Sequence, residues 1–190
     1  GEGLLLISYI SGKTYGAADV GANLPRIATS LRALHSLKPF DHEFNMFNTQ
    51  SNYFKIVKEQ GFRVPDGYVD FEPMVAQIKK AFEVLFEGLV PCNNDLLPGN
   101  FIDDGKKIWL IDYEYSGNND ACFEIGNVWA EAFLPIEALE ELVTAYFGSH
   151  RPDKVARAWL WALMAKYGWT LWASIQDSVS EIEFDFWEWG

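Results

Sequence analysis

The sequence is poor in cysteine and histidine, and it has no long hydrophobic run. Its two cysteines, Cys92 and Cys122, form no CxxC pair and no metal-ligand spacing, which is typical of reduced thiols in a cytosolic protein. The three histidines are scattered and no Gly-x-Ser-x-Gly motif is present, so nothing supports a hydrolase triad. No window approaches the ~18 apolar residues of a membrane span, and no basic region followed by an apolar run indicates a secretion signal. We therefore expect a cytoplasmic protein without a membrane span.

Positive charge is also scarce. The chain has 15 Lys and Arg against 27 Asp and Glu, which gives a net charge of −12. A nucleic-acid-binding protein needs a basic face, so the composition argues against nucleic acid as a partner. The acidity suits a cationic ligand, although an acidic surface commonly serves only solubility. Hydrophobic residues are abundant, at 49% of 190 residues, and this is enough for one domain or a large lobe with a buried core.

Apolar residues recur at helical spacing over most of the chain. Pro25 near the start of the first helix and Gly61 after the second mark boundaries. The run Gly3–Gly12 is β-rich and indicates a buried strand followed by a turn. Short apolar segments at Phe101 and Ile108 flank an Asp-Gly turn signal and predict a β-hairpin. We expect helices over residues 19–37, 51–60, 71–86, 123–133, 136–147 and 152–182.

Polar loops lie on both sides of the predicted hairpin. Asp95 is followed five positions later by Asn100, and Asp112 comes directly after the second strand. This order is the one used by kinase-type phosphotransferases. In that chemistry Asp95 would accept or orient the proton of a substrate hydroxyl, while Asn100 and Asp112 would supply oxygen ligands to Mg²⁺. A lone Asp-x4-Asn is more often an Asx-turn, but the hairpin and the segment "IDYEY" at the right separation favour the phosphotransferase.

The C-terminal third of the chain combines aromatic rings with carboxylates. Residues 152–190 carry six of the eight tryptophans, and no basic residue follows Lys166. Trp169 and Trp172 share a helix face, and the aromatics near Trp189 could fold back on it. Such a surface suits a quaternary ammonium, which binds through cation–π contacts of about 0.5–2 kcal/mol each. For any one tryptophan, packing into the core is the competing interpretation.

The segment Asn94–Asn127, "NDLLPGNFIDDGKKIWLIDYEYSGNNDACFEIGN", resembles the catalytic segment of the choline/ethanolamine kinase family, and the similarity extends from about Gly3 to the C-terminus. The resemblance implies an α+β, protein-kinase-like C-lobe, mostly helical, with a small β-hairpin carrying the catalytic and metal-binding loops. It implies phosphorylation of choline or ethanolamine by ATP with Mg²⁺, in phospholipid precursor metabolism. Asp95 then resembles the catalytic base, and Asn100 and Asp112 the magnesium ligands. Supporting roles are implied for Asn93, Glu114, Glu124 and Asn127.

The family pattern also divides the chain. Residues 1–12 resemble the hinge strand from an N-lobe that we expect to be missing here, and residues 13–190 the helical C-lobe. Within that lobe we expect a catalytic loop at 91–101, a metal loop at 111–116 and an aromatic choline-site segment at 167–190.

ATP would contact the hinge. The resemblance implies that the backbone of Ser8, Tyr9 and Ile10 meets the adenine. Lys13 is not preceded by G-x-x-x-x-G-K, so we expect the ATP-binding lysine outside this chain. Whether the chain turns over alone stays open.

The same resemblance implies a cage for choline, with Trp169, Trp172, Phe186 and Trp189 on one side and Tyr115 and Glu131 on the other. A primary amine prefers directed hydrogen bonds that ring faces cannot supply, so we favour choline over ethanolamine. An ethanolamine or aminoglycoside-type phosphotransferase and a non-catalytic choline-binding module remain alternatives.

Asn93 departs from the family pattern, which has His two positions before the catalytic Asp. That His is understood to hold the catalytic loop against the metal loop through hydrogen bonds to backbone. Asn can donate and accept too, but its side chain is shorter. A tolerated variant, an engineered or erroneous residue, and a weakly active protein are three explanations that the sequence leaves open.

Overall fold

A computed structural model of the chain describes residues 8–190. The helices are α1 Ala17–Ala22, α2 Leu24–His35, α3 Met46–Gln60, α4 Glu72–Val84, α5 Ala121–Glu131, α6 Ile136–Phe147, α7 Pro152–Val179 and α8 Phe186–Trp189. The strands are β1 Lys13–Thr14, β2 Val90–Cys92, β3 Phe101–Asp103, β4 Ile108–Leu110 and β5 Gly117–Asn119. Short 3₁₀ turns occupy Tyr68–Phe71 and Pro98–Asn100. The predicted architecture, mostly helical with a small β-hairpin, is confirmed.

Two small antiparallel sheets hold the polar loops. β3 and β4 form the predicted hairpin, in which Asp103 lies opposite Ile108 and Gly105 turns the chain at φ 85°. β1 joins the free edge of β3, and β2 pairs with β5. One polar loop runs from β2 to β3 and the other from β4 to β5. Each loop therefore connects the two sheets and is fixed at both ends.

The core is built around α5 and the 28-residue helix α7. α7 packs against both α3 and α5. Eight of the eleven residues of α5 are buried, and Gly126 allows its close approach because a Cβ there would collide with the carbonyl of Ala158 on α7. No helix among residues 8–190 is long and apolar enough to cross a membrane.

The helix boundaries differ most from the predicted ones at two places, and by no more than three residues elsewhere. The helix expected over 19–37 is divided at Asn23 into α1 and α2, because Pro25 lies in the first turn of α2 and cannot donate a backbone hydrogen bond. The helix expected from residue 51 already begins at Met46, because the side chain of Asn45 accepts from the N–H groups of Phe47 and Asn48. Its predicted end is confirmed.

The strand predicted for Gly3–Gly12 is only partly testable. Residues 1–7 lie outside the described residues, while Ser8–Gly12 form no regular secondary structure, and 91% of Tyr9 is exposed. The prediction of a buried strand is therefore wrong for Ser8–Gly12. The physical reason is that no strand within residues 8–190 lies beside this segment to accept its backbone hydrogen bonds.

Candidate active site

The predicted catalytic loop follows β2 and returns to the hairpin through the turn at Pro98–Asn100. Asn100 is 8% exposed, and its side-chain Nδ2 donates to the backbone carbonyl of Asp95 at 2.7 Å. This bond fixes the separation of the two residues. Because the amide nitrogen faces Asp95, the Oδ1 of Asn100 stays available for a ligand.

Asn93 joins the catalytic loop to the loop that follows β4. Its Nδ2 donates to the carbonyls of Ile111 and Asp112 at 3.1 and 2.7 Å. Its Oδ1 accepts the backbone N–H of Asp95 at 3.0 Å. The buried amide thus makes contacts to backbone of the kind expected of the family's histidine, and it does so with both ends of its side chain.

Glu124 anchors the same loop from α5. Its carboxylate is fully buried, and Oε1 accepts the backbone N–H groups of Asn93 and Asn94 at 2.6 and 3.0 Å. Oε2 lies 2.5 Å from Nε2 of His35 on α2, whose Nδ1 is 2.6 Å from the hydroxyl of Tyr146. Sequence reasoning missed His35 and Tyr146. A histidine on the apolar face of a predicted helix was the only available signal.

Two further amides complete the support of the loop. Asn127, a predicted supporting residue on α5, accepts the backbone N–H of Leu96 at 2.9 Å through Oδ1. Asn94, which sequence reasoning did not select, is buried at φ 71° and donates to the carbonyls of Tyr115 and Gly117 at 3.0 and 3.2 Å. The loop is therefore held by side chains along its length.

Asp112 lies directly after β4, in the segment 111–116 that the sequence predicted as a metal loop. It is exposed and adopts φ 59°, a left-handed conformation that turns the chain directly after β4. The backbone N–H of Ile111 donates to the carbonyl of Asn100 at 3.1 Å, which keeps the two loops adjacent. The Oδ1 of Asn100 and the carboxylate of Asp112 are hard oxygen donors, which is the donor chemistry that Mg²⁺ requires. The residues present therefore fit this ion.

The surroundings of the Asp95 carboxylate disfavour its ionised form. Burial, followed by the negative charges of Glu131, Asp112 and Glu114, raises the pKa of the Asp95 carboxyl to about 6. Its carboxylate accepts no hydrogen bond from any residue in the range 8–190. Asp95 therefore has the protonation behaviour of a group that can take up a proton near neutral pH.

A cavity of about 460 Å³ opens beside Asp95. All six residues predicted for a choline cage contribute to its wall: Tyr115, Glu131, Trp169, Trp172, Phe186 and Trp189. Sequence reasoning missed the remaining apolar lining: Leu97, Pro98, Phe133, Ile182 and Phe184.

The aromatic rings of this cavity meet edge to face. The ring centroids of Tyr115 and Trp169 are 5.1 Å apart, and Trp172 lies 5.7 Å from Phe186 and 5.6 Å from Trp189. The short helix α8 thus folds back on α7 as expected, and its rings join those of α7 in one wall.

The cavity also carries negative charge. Glu131, the last residue of α5, has a side chain only 5% exposed and pairs with Lys166 on α7 at 2.9 Å. Glu114 lies on the exposed metal loop.

The predicted adenine contacts Ser8, Tyr9 and Ile10 do not line this cavity, and their role stays a prediction.

Comparison with known proteins points to a kinase family. The family model described as choline/ethanolamine kinase matches residues 2–141. Protein LicA of Haemophilus influenzae is 30% identical over 127 residues, covering 65% of this chain and 37% of its own. Human ethanolamine kinase 2 is 31% identical over 168 residues, covering 74% of this chain and 43% of its own. The chain spans less than half the length of both relatives.

A solved structure supports the fold. The crystal structure of a choline/ethanolamine kinase family protein from Mesorhizobium loti superimposes with a TM-score of 0.87 at 29% identity, covering 95% of this chain and 64% of that one. The match of the family model over most of the sequence shows that the chain belongs to the choline/ethanolamine kinase family.

Proposed function

We propose that the protein containing this chain transfers the γ-phosphoryl group of ATP to the hydroxyl of choline. The observation that supports this most directly is the position of Asp95, which lies in the wall of a cavity otherwise built largely from aromatic rings. A cation bound against those rings would have its hydroxyl arm next to the carboxylate. Binding and chemistry would then occupy neighbouring parts of one cavity.

Asp95 would act as the base. As the choline oxygen forms its bond to the γ-phosphorus and the bond to the ADP oxygen breaks, the hydroxyl proton would pass to the Asp95 carboxylate. A pKa of about 6 leaves this carboxylate mostly ionised at neutral pH while keeping it basic enough to accept the proton. Asn100 and Asp112 would hold Mg²⁺, which supplies neutralisation of phosphate charge when bound.

The aromatic wall favours choline. A trimethylammonium group has no N–H donors and binds through its methyl groups to ring faces, with about 0.5–2 kcal/mol from each cation–π contact. Seven aromatic rings line the cavity, four of them from α7 and α8 and one from the predicted metal loop. The carboxylates of Glu114 and Glu131 add long-range attraction for the positive charge.

Ethanolamine is the second candidate substrate. It is favoured by the carboxylates of Glu114 and Glu131 in the cavity wall, which could accept hydrogen bonds from a primary ammonium, and by the similarity to a relative named ethanolamine kinase 2. Choline nevertheless fits the larger part of the wall, which is apolar.

The test is ATP-dependent ADP release by the complete protein translated from the parent reading frame, with choline, ethanolamine and an aminoglycoside compared. We expect the highest kcat/KM with choline. Asp95→Ala should abolish ADP release while choline still binds, whereas Asp41→Ala, an exposed carboxylate change of the same size, should leave the rate unchanged. If choline stimulates no ADP release, the proposal is wrong.

A further inference from the structure

Glu131 is the most deeply buried carboxylate in the wall of the cavity. Its side chain is 5% exposed, yet it faces the space beside Asp95. One oxygen, Oε1, accepts from Nζ of Lys166 at 2.9 Å. The other oxygen, Oε2, accepts no hydrogen bond from any residue in the range 8–190. Within the described residues, one oxygen of the Glu131 carboxylate is therefore hydrogen-bonded and the other is not.

Lys166 reaches this carboxylate without lining the cavity itself. It lies on α7, its side chain is 40% exposed, and its ammonium is 5.0 Å from the centroid of the Phe133 ring. Phe133 adopts φ 51°, a backbone conformation that is unusual for a bulky residue. The Lys166 ammonium thus contacts both the Glu131 carboxylate and the Phe133 ring. The two contacts together keep its charge next to Glu131.

The two candidate substrates respond differently to such a pair. A primary ammonium has three N–H donors, and when the cavity displaces its water each donor needs an acceptor. A trimethylammonium group has no N–H donor, so it loses no hydrogen bond when one carboxylate oxygen is already occupied. The positive charge of Lys166 also offsets the negative charge of Glu131. This weakens the electrostatic attraction of the cavity for a cation, and the primary ammonium depends on that attraction more than the trimethylammonium group does.

We propose that Lys166 is a specificity-determining residue: by occupying one oxygen of Glu131 and offsetting its charge, it makes the cavity select quaternary over primary ammonium alcohols. This inference rests on the proposed function for the choice of substrates. The selectivity itself is a property of binding, and the 190-residue chain contains every residue of the cavity described here.

The experiment measures the dissociation constants of choline and ethanolamine for the chain by titration calorimetry. In Lys166→Met, the ratio of the ethanolamine constant to the choline constant should fall about ten-fold, because one charge-assisted hydrogen bond becomes available to the primary ammonium. Lys166→Arg should keep the ratio of the unchanged chain, because it restores the pair. Lys80→Met removes an equal charge from an exposed position on α4 and should leave the ratio unchanged.

A double-mutant cycle separates specificity from a merely structural ion pair. In a Glu131→Gln background, Lys166→Met should no longer change the ratio. Lys166→Ala provides a second neutral variant if the methionine does not fold, with folding checked by circular dichroism.

Each result decides the question. The same ratio in Lys166→Met as in the unchanged chain overturns the inference, and so does an unchanged chain that binds neither cation. If the ratio falls as expected but the complete protein releases no ADP with choline, the proposed function fails and the inference stands. If choline is phosphorylated and the ratio does not move, only the inference fails.

Discussion

Replacing Asp95 with Asn should stabilise the chain at neutral pH while removing the proposed catalytic base. The carboxylate is largely buried among other negative charges, and no residue in the range 8–190 donates a hydrogen bond to it. Asn has the same shape and no charge. The substitution therefore removes an unfavourable charge without removing a favourable contact that the structure describes.

The magnitude follows from the pKa of Asp95. A rise from 3.8 to about 6 is about two units, and at 1.36 kcal/mol per unit the ionised carboxylate costs the folded state up to about 3 kcal/mol. Because the folded-state pKa lies above the unfolded-state value, the folded chain binds more protons between pH 4 and 6. The free energy of unfolding therefore falls as pH rises through this window.

The assay is urea unfolding of both proteins at pH 4 and pH 7.5, without metal. Asp95→Asn should gain about 1–3 kcal/mol relative to the unchanged chain at pH 7.5 and little at pH 4. Since any lost carboxylate relieves repulsion in a chain of net charge −12, Asp41→Asn measures that general effect. An equal gain for the two variants, or the same gain at both pH values, would refute the reasoning.

Three further predictions concern the loop, the core and the cavity. Asn93→Ala should lower the free energy of unfolding by about 2–4 kcal/mol in urea, because two carbonyls and the N–H of Asp95 lose their partner; no loss would show that water replaces the amide. Gly126→Ala should cost about 1–3 kcal/mol by thermal unfolding, because its Cβ meets the carbonyl of Ala158, and a neutral effect would mean that α5 and α7 can separate freely. Trp172→Ala should weaken choline binding about ten-fold in calorimetry, because two neighbouring rings lose their central contact; unchanged binding would place choline elsewhere.

Local chemistry explains why part of this structure could be predicted from the sequence. The hairpin follows from its Asp-Gly turn, and the end of α3 follows from Gly61, which adopts φ 67°. Asp95, Asn100 and Asp112 are close in sequence, and short connections bring their loops together. The start of α3 was also readable in principle, because Asn45 precedes an apolar pair and is a favoured N-cap.

Contacts between distant segments could not be predicted in the same way. His35 reaches Glu124 across 89 positions, and only the packing of α2 on the core brings them together. The pair of Lys166 and Glu131 likewise depends on how α5 lies along α7. Lys and Glu side chains on a helix are usually solvated, so neither side chain carries a sequence signal that distinguishes it from ordinary surface charge.

The carboxylate of Glu124 has a consequence for hydrogen exchange. Loop amides normally exchange quickly because they open without unfolding the core. The N–H groups of Asn93 and Asn94 are bound instead to a fully buried side chain of α5. They should exchange with solvent deuterium as slowly as the amides of that helix, so the loop that precedes Asp95 would open only when the centre of the lobe unfolds.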